Sequence, residues 1–402
     1  MTPPSAGRPA GQAARIRTVD GLRGLAALLV VFDHTVGDSW GLGAWSEQNH
    51  GITAFALLTG FLLATQFLKR RLDGRERPSA LRFLRARAAR IFPGYWVALA
   101  VAAATVGLHA IGPGDGWRVV TLTQTYGTDT PFEGLPPTWS LSLFLSFYIA
   151  LPVWMWWRGR SDRPGRTQAS LLWREIGWLL TLIPLSWAVR TTSLTDPVAP
   201  DPVFTLLGRA DWFAIGMILA ALAIGHSRDL LPRWVLLPGR HPGVAFASAL
   251  GLTVISALIP LRFEELRDQF DTLAGATLVA AAVLHGPVLR GPQRVLASRP
   301  AQALGRWSYG IFLWGYISMK AVDQLFPGIS TAPHLVLAMT GGIAFGAASW
   351  RFVEQPASRW LRGRREGERT GGEPRESAVA PKAALSRRWR RARAVLGSSG
   401  AG

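Results

Sequence analysis

Arg23 and His34 are the two side chains whose types and setting point most directly to chemistry. Both lie in a run apolar enough to cross a bilayer, Asp20-Gly-Leu-Arg23-Gly-Leu-Ala-Ala-Leu-Leu-Val-Val-Phe-Asp33-His34. They are eleven positions apart, and eleven steps of ~100° return to nearly the same helix face, ~16 Å further along the axis. An ionisable group inside a membrane is costly and so marks a candidate functional site. A neutral imidazole can take a proton from a hydroxyl or act as the nucleophile itself. A guanidinium offers a permanently charged donor fork, suited to a phosphate or a developing oxyanion. Asp20, three residues before Arg23, is placed to orient that fork, whereas Asp33 is adjacent to His34 and points to another face. The competing reading is structural: Arg23 snorkels to the interface and His34 hydrogen-bonds a neighbouring helix. Two such groups on one face weigh against it.

The rest of the chain must hold that pair in a membrane. Of 402 residues, 49% are hydrophobic and 17% charged, against about a quarter charged in an ordinary soluble domain. Ten apolar segments can be marked, at 19–37, 51–68, 93–111, 138–157, 174–190, 203–224, 243–260, 270–289, 304–322 and 333–352. The connecting stretches alternate in charge. The 69–92 loop carries nine basic residues, among them Lys69, Arg71, Arg87 and Arg90. The 158–174, 225–242 and 290–306 loops are also basic, with Arg158, Arg174, Arg228, Arg240, Arg290 and Arg306 among their charges. Between them, 38–50 and 191–202 have acids and no Lys or Arg, 112–137 has one Arg against three acids, and 261–271 is mixed. By the positive-inside rule this predicts ten spans with both termini cytoplasmic.

That topology also absorbs the net charge of +19, which would otherwise suggest nucleic acid; no nucleic-acid partner is expected. The absence of cysteine excludes disulfides, thiol catalysis and thiolate metal sites, and no metal centre is expected. Residues 1–18 read as a cytoplasmic N-terminal segment without a cleavable signal, and 19–360 as the membrane-embedded domain. The basic 361–402 tail reads as disordered, with an amphipathic helix at 382–396 as an alternative, its arginines touching anionic lipid.

The residues also resemble a family. Arg17-Thr-Val-Asp20-Gly-Leu-Arg23-Gly-Leu-Ala-Ala, completed by His34 in an Arg-x10-His spacing, resembles the opening of the acyltransferase-3 family of integral-membrane O-acyltransferases. Leu57-Leu58-Thr59-Gly60-Phe61 is similar to its second-helix element, and Arg87-Ala-Ala-Arg90-Ile-Phe-Pro93-Gly-Tyr95-Trp96 to its Arg-x-x-Arg and Pro-x-Tyr-Trp element. Asp211-Trp-Phe-Ala-Ile-Gly216-Met217 resembles its sixth-helix signature, and Arg351-Phe-Val-Glu354-Gln-Pro356 its terminal one. The order of these motifs over residues 15–360 carries the resemblance. It implies an all-α bundle of about ten spans in the cell membrane. It further implies acyl transfer from acyl-CoA, plausibly acetyl-CoA, to a hydroxyl of a carbohydrate or glycosylated acceptor. Acyl-CoA would be a co-substrate, with no tightly bound cofactor. His34 and Arg23 would be catalytic; Asp20, Arg87, Arg90, Trp139, Ser142, Tyr148 and Asp211 would bind substrate.

Two positions depart from the family pattern. Its fourth helix usually carries acidic residues after Trp-Ser-Leu-Ser; here Trp139-Ser140-Leu141-Ser142-Leu143 is followed by Phe144 and Leu145. Its ninth helix usually reads Leu-Trp-His, and this chain has Leu313-Trp314-Gly315. Compensation by Glu133 or Asp211, a less polar acceptor, or loss of catalysis would each account for this. The alternatives to an active enzyme are therefore an impaired relative that binds acyl-CoA, or a transporter or lipid-handling protein without catalysis.

Overall fold

The computed structural model describes residues 10–36, 50–127, 131–162, 165–192 and 201–360. The chain divides into two units, Met1–Ser358 and Arg359–Gly402, and the first holds every feature discussed below. The 361–402 tail and the 38–49 part of the first loop lie outside the described residues. Among the described residues there is no β-strand, only one isolated bridge between His109 and Gly134.

Each of the ten apolar segments falls on one helix. These are α1 (Ala10–Val36), α2 (His50–Leu72), α3 (Ala80–Ala104), α4 (Trp139–Arg160), α5 (Gln168–Thr191), α6 (Ala210–Ser227), α7 (Pro242–Leu258), α8 (Glu264–Val283), α9 (Arg299–Leu325) and α10 (Thr331–Ser349). By length and apolarity four helices qualify to cross a membrane: α2, α4, α6 and the helix opening at Thr331. A fifth qualifies if Arg233–Arg240 and α7, bent by 75°, form one span. Among the described residues the other long helices, which carry charged residues within their length, fall outside these criteria.

The clearest boundary error is α3. Its first half, Ala80–Phe92, was expected as loop because of its arginines, but it is helix. Ser79 caps it by accepting a hydrogen bond from the Arg82 backbone N–H, and Leu, Phe and Ala between the arginines sustain the helix. The charges therefore ride on a rigid element rather than a loop.

The register that matters is between α1 and α9. A Cβ placed on Gly305 would sit 1.9 Å from the Asp20 carbonyl oxygen, and one on Gly315 would sit 2.3 Å from Val31 Cγ2. Two glycines ten positions apart on α9 thus let α1 lie against it, in the manner of small-residue contacts between membrane helices. The contacts advance together, Asp20 with Gly305 and Val31 with Gly315, so the two helices run in the same direction. A histidine at Gly315, as is usual in the family, would require the Val31 side chain to shift.

Buried ion clusters brace both ends of the bundle. At one end, Arg71 grips Asp162 through two bonds of 2.6 and 2.7 Å and donates to Glu175 at 2.8 Å. Glu175, fully buried, also accepts from Arg158 at 3.2 Å and from Trp154 at 2.7 Å. At the other end, Arg190 is fully buried and donates to Glu265 at 2.9 Å, to Asp211 at 3.2 Å and to the Gly208 carbonyl. Arg209 meets Asp268 at 2.6 Å in the same cluster.

Replacing Gly305 with Ala should destabilise the protein by about 1–3 kcal/mol or more, because backbone faces the added methyl and cannot rotate away. The expected readout is a lower melting temperature in detergent; an unchanged one would refute the α1–α9 contact. Asp211→Ala should cost about 3 kcal/mol by leaving Arg190 under-compensated in a buried site. A lower melting temperature is the expected readout, and an unchanged one would refute the Arg190–Asp211 pairing.

Candidate active site

The α1–α9 register sets two rungs along one helix pair. Near the start, Arg23 Nη2 donates to Ser308 Oγ at 3.1 Å. Near the end, the His34 ring meets Tyr316 edge-on, with centroids 6.4 Å apart. A neutral imidazole carries one ring N–H and leaves a lone pair on its other nitrogen.

Arg23 opens into a cavity of about 250 Å³ enclosed by α1, α2, α3, α4 and α9. Among the described residues three guanidinium groups, of Arg23, Arg87 and Arg90, stand in its lining and no Asp or Glu does. Arg87 lies over the Phe83 ring at 5.7 Å, and its Nε is buried without a hydrogen-bond partner. Arg90 is exposed, so the basic side of the cavity opens outward. The opposite walls are apolar: Ile52, Phe55, Leu62 and Leu63 from α2, Phe144 from α4 and Phe312 from α9. A cationic mouth above an apolar interior suits an anionic head group carrying an uncharged arm.

His34 does not line that cavity. It is exposed, and it borders a narrow crevice with Val30, Val31, Pro137, Phe312, Gly315, Tyr316 and Met319. The spacing on α1 does put Arg23 and His34 along one side of the helix, but they face two spaces, and Phe312 is the lining residue common to both.

The other sequence-predicted residues divide. Arg87, Arg90 and Tyr148 line the cavity. Asp20 lies near Arg23, Arg90 and Arg306, but among the described residues no hydrogen bond or ion pair ties it to Arg23; Ser308 fills the orienting role instead. Trp139 is buried and packs edge-on against Phe204, at 5.1 Å between ring centroids. Ser142 is buried, accepting from Thr125 at 2.9 Å and donating to the Leu122 carbonyl at 2.6 Å, so it fastens the 122–126 segment to α4. Asp211 belongs to the Arg190 cluster. Glu133 accepts from the Gly112 backbone N–H at 2.6 Å, and neither it nor Asp211 lines the cavity or the crevice. Neither therefore takes the place of the acid missing at Phe144, whose ring closes the cavity and packs on Phe213 at 5.8 Å.

Sequence reasoning missed Thr59, Gln66, Ser140, Ser308, Tyr309 and Phe312, which also line the cavity. Thr59 and Gln66 carried a signal: two polar residues seven apart in the apolar α2 share a face. Ser308 and Tyr309 gave none, because their role depends on α9 lying beside α1. Tyr309 donates to the Ile91 carbonyl at 2.7 Å, and the buried Glu354, on a π-helical turn at the end of α10, packs behind it near Gly94. Such turns are frequent at functional sites.

Comparison with known proteins identifies the family. Residues 16–351 match the family profile described as "Acyltransferase domain". The chain is 25% identical to "Acyltransferase MdmB" of Streptomyces mycarofaciens over 411 aligned positions, covering 90% of this chain and 96% of the relative. It is 25% identical to "Nodulation protein 10" of Rhizobium leguminosarum bv. viciae, covering 84% of this chain and 92% of that one. A shorter match, 31% identical to "Apolipoprotein N-acyltransferase" of Azotobacter vinelandii, covers 44% of this chain and 32% of the relative. No solved structure matches the chain significantly. With a single profile spanning most of its length, from before Arg23 to beyond α10, the chain belongs to the acyltransferase-3 family.

Proposed function

We propose that this acyltransferase moves an acyl group from acyl-CoA to a hydroxyl of a carbohydrate or carbohydrate-bearing small molecule, with His34 as the base. The observation that carries the reading is the pairing of an arginine-lined, acid-free cavity with an imidazole further along the same helix. The arm of coenzyme A between its phosphate and its sulfur has twelve bonds, about 14 Å at the reach per bond of an extended peptide. Arg23 and His34 are ~16 Å apart along α1 at the standard rise. A diphosphate held by Arg23, Arg87 and Arg90 would therefore bring its thioester to the neighbourhood of His34.

In the proposed reaction the acceptor oxygen attacks the thioester carbonyl carbon while its proton passes to the free nitrogen of His34. The carbon–sulfur bond then breaks, and the thiolate takes the proton back from the imidazolium. The products are the ester and coenzyme A with its thiol restored. The acceptor would enter from the His34 end, where Tyr316 offers a ring face and Lys320 lies over it at 5.9 Å.

The placement is a multi-pass protein of the cell membrane with ten spans and cytoplasmic termini, the donor entering from the cytoplasm. Supporting this, the ends of α2, α4 and α6 meet the start of α5 in one region, through Arg71, Arg158, Arg228, Asp73 and Gln168. The end of α5 and the starts of α6 and α8 meet in another, through Arg190, Asp211 and Glu265. A second reading, acyl-CoA binding without turnover, is favoured by one observation: no carboxylate lines either space to support His34.

Full-length protein in nanodiscs should bind acetyl-CoA, and Arg87→Ala with Arg90→Ala should weaken binding by about 100-fold, the loss of two charge-assisted contacts. His34→Ala should bind the donor normally while transferring acetyl ~10²- to 10⁴-fold more slowly to an accepted hydroxyl in a glycan panel. Wild-type rates from the His34 variant would refute the base assignment, and donor binding without transfer by the native protein would favour the second reading.

A further inference from the structure

Phe312 sits at the boundary between the two spaces. Its ring is almost fully buried, at 5% exposure, and it lines both the arginine cavity and the His34 crevice. On α9 it lies four residues after Ser308, the partner of Arg23, and four before Tyr316, the neighbour of His34. Residues at that spacing stack along one helix face, about 6 Å per step. Ser308, Phe312 and Tyr316 therefore share one face of α9 between the guanidinium end and the imidazole end, with the phenyl ring at the middle position.

From this juxtaposition we infer that Phe312 is a positioning residue that separates the bound thioester from His34 and must swing aside for transfer. The inference rests on the acyl-CoA reading above. Its physical ground is the contrast between the two sides. His34 is exposed and lies two residues from the end of α1, where water entering with an acceptor would meet the same nitrogen that activates the acceptor hydroxyl. A thioester in permanent contact with that nitrogen would be hydrolysed: water oxygen attacks the carbonyl carbon, His34 relays the proton to the departing sulfur, and the free acid and coenzyme A result. Keeping water from a reactive group is a recognised task of active-site walls. A phenyl ring at that middle position holds the donor back by shape alone and adds no polar group to either space. Phe312 therefore sets the ratio of transfer to hydrolysis.

The test uses the full-length protein in nanodiscs, with acetyl-CoA and no acceptor. Coenzyme A release is read with a thiol reagent, and because the chain has no cysteine every thiol detected comes from the donor. Phe312→Ala should raise acceptor-free release by at least about tenfold, measured at saturating acetyl-CoA so that any change in donor affinity is removed from the comparison. Phe312→Leu, which keeps more of the packing, should give a smaller rise in the same direction. Adding His34→Ala to Phe312→Ala should return release to the wild-type level, a reversal that a general loosening of the fold would not give. Wild-type release from both Phe312 variants, with donor binding intact, would overturn the inference. So would a rise that survives removal of His34. A native protein that binds no acetyl-CoA at all would instead refute the donor assignment, and this inference with it.

Discussion

The close approach of α1 to α9 is the constraint on which the site depends. Neither helix carries a complete site. Arg23 gains a hydrogen-bond partner only because Ser308 lies opposite, and His34 gains a ring neighbour only because Tyr316 does. Both juxtapositions lie on a contact set by Gly305, where a side chain would meet the Asp20 backbone, and by Gly315, where one would meet the Val31 side chain. In lipid there is little hydrophobic gain from bringing two helices together, so shape at the contact and a few polar bonds must supply the specificity. Here the glycines supply the shape, and the Arg23–Ser308 bond is one such polar contact.

The ion clusters do a different job. Arg190 and Glu175 are completely buried, and each is matched by opposite charges from other helices. Such clusters add little net stability over an apolar core, but they strongly penalise any arrangement that separates the partners. They therefore fix which helices are neighbours at each end and leave the middle of the bundle free for the cavity. Asp211 illustrates the division: a buried acid in an apolar helix invites a functional reading, yet its oxygens are taken by Arg190, Ser186 and its own helix start.

The sequence was most legible where one helix suffices to interpret it. Apolar period and length located the ten long helices among the described residues, and the Arg-x10-His spacing placed both key side chains on one long element. It was less legible where meaning depends on a partner. The Arg87 and Arg90 charges looked like ordinary loop charge until Ser79 was seen to cap a helix beneath them. Gly315 looked like a lost histidine, although it marks a contact with Val31. Ser142 and Trp139 matched a motif, but their atoms serve packing and a loop attachment. Spacing could not reveal that Arg23 and His34 face different spaces, because the ring that divides them comes from a helix almost three hundred residues later in the chain.

The two rungs on α1 also behave as a gauge of fixed length. Their separation comes from helical rise, a property of the backbone that no side-chain exchange between them alters. Inserting or deleting one residue in that interval would lengthen or shorten the gauge by only ~1.5 Å, but would turn one rung by ~100° relative to the other. The stretch from Leu25 to Phe32 can thus vary in composition while its count of residues stays locked. Changes in acceptor preference would have to be written elsewhere, in the segments that surround the imidazole.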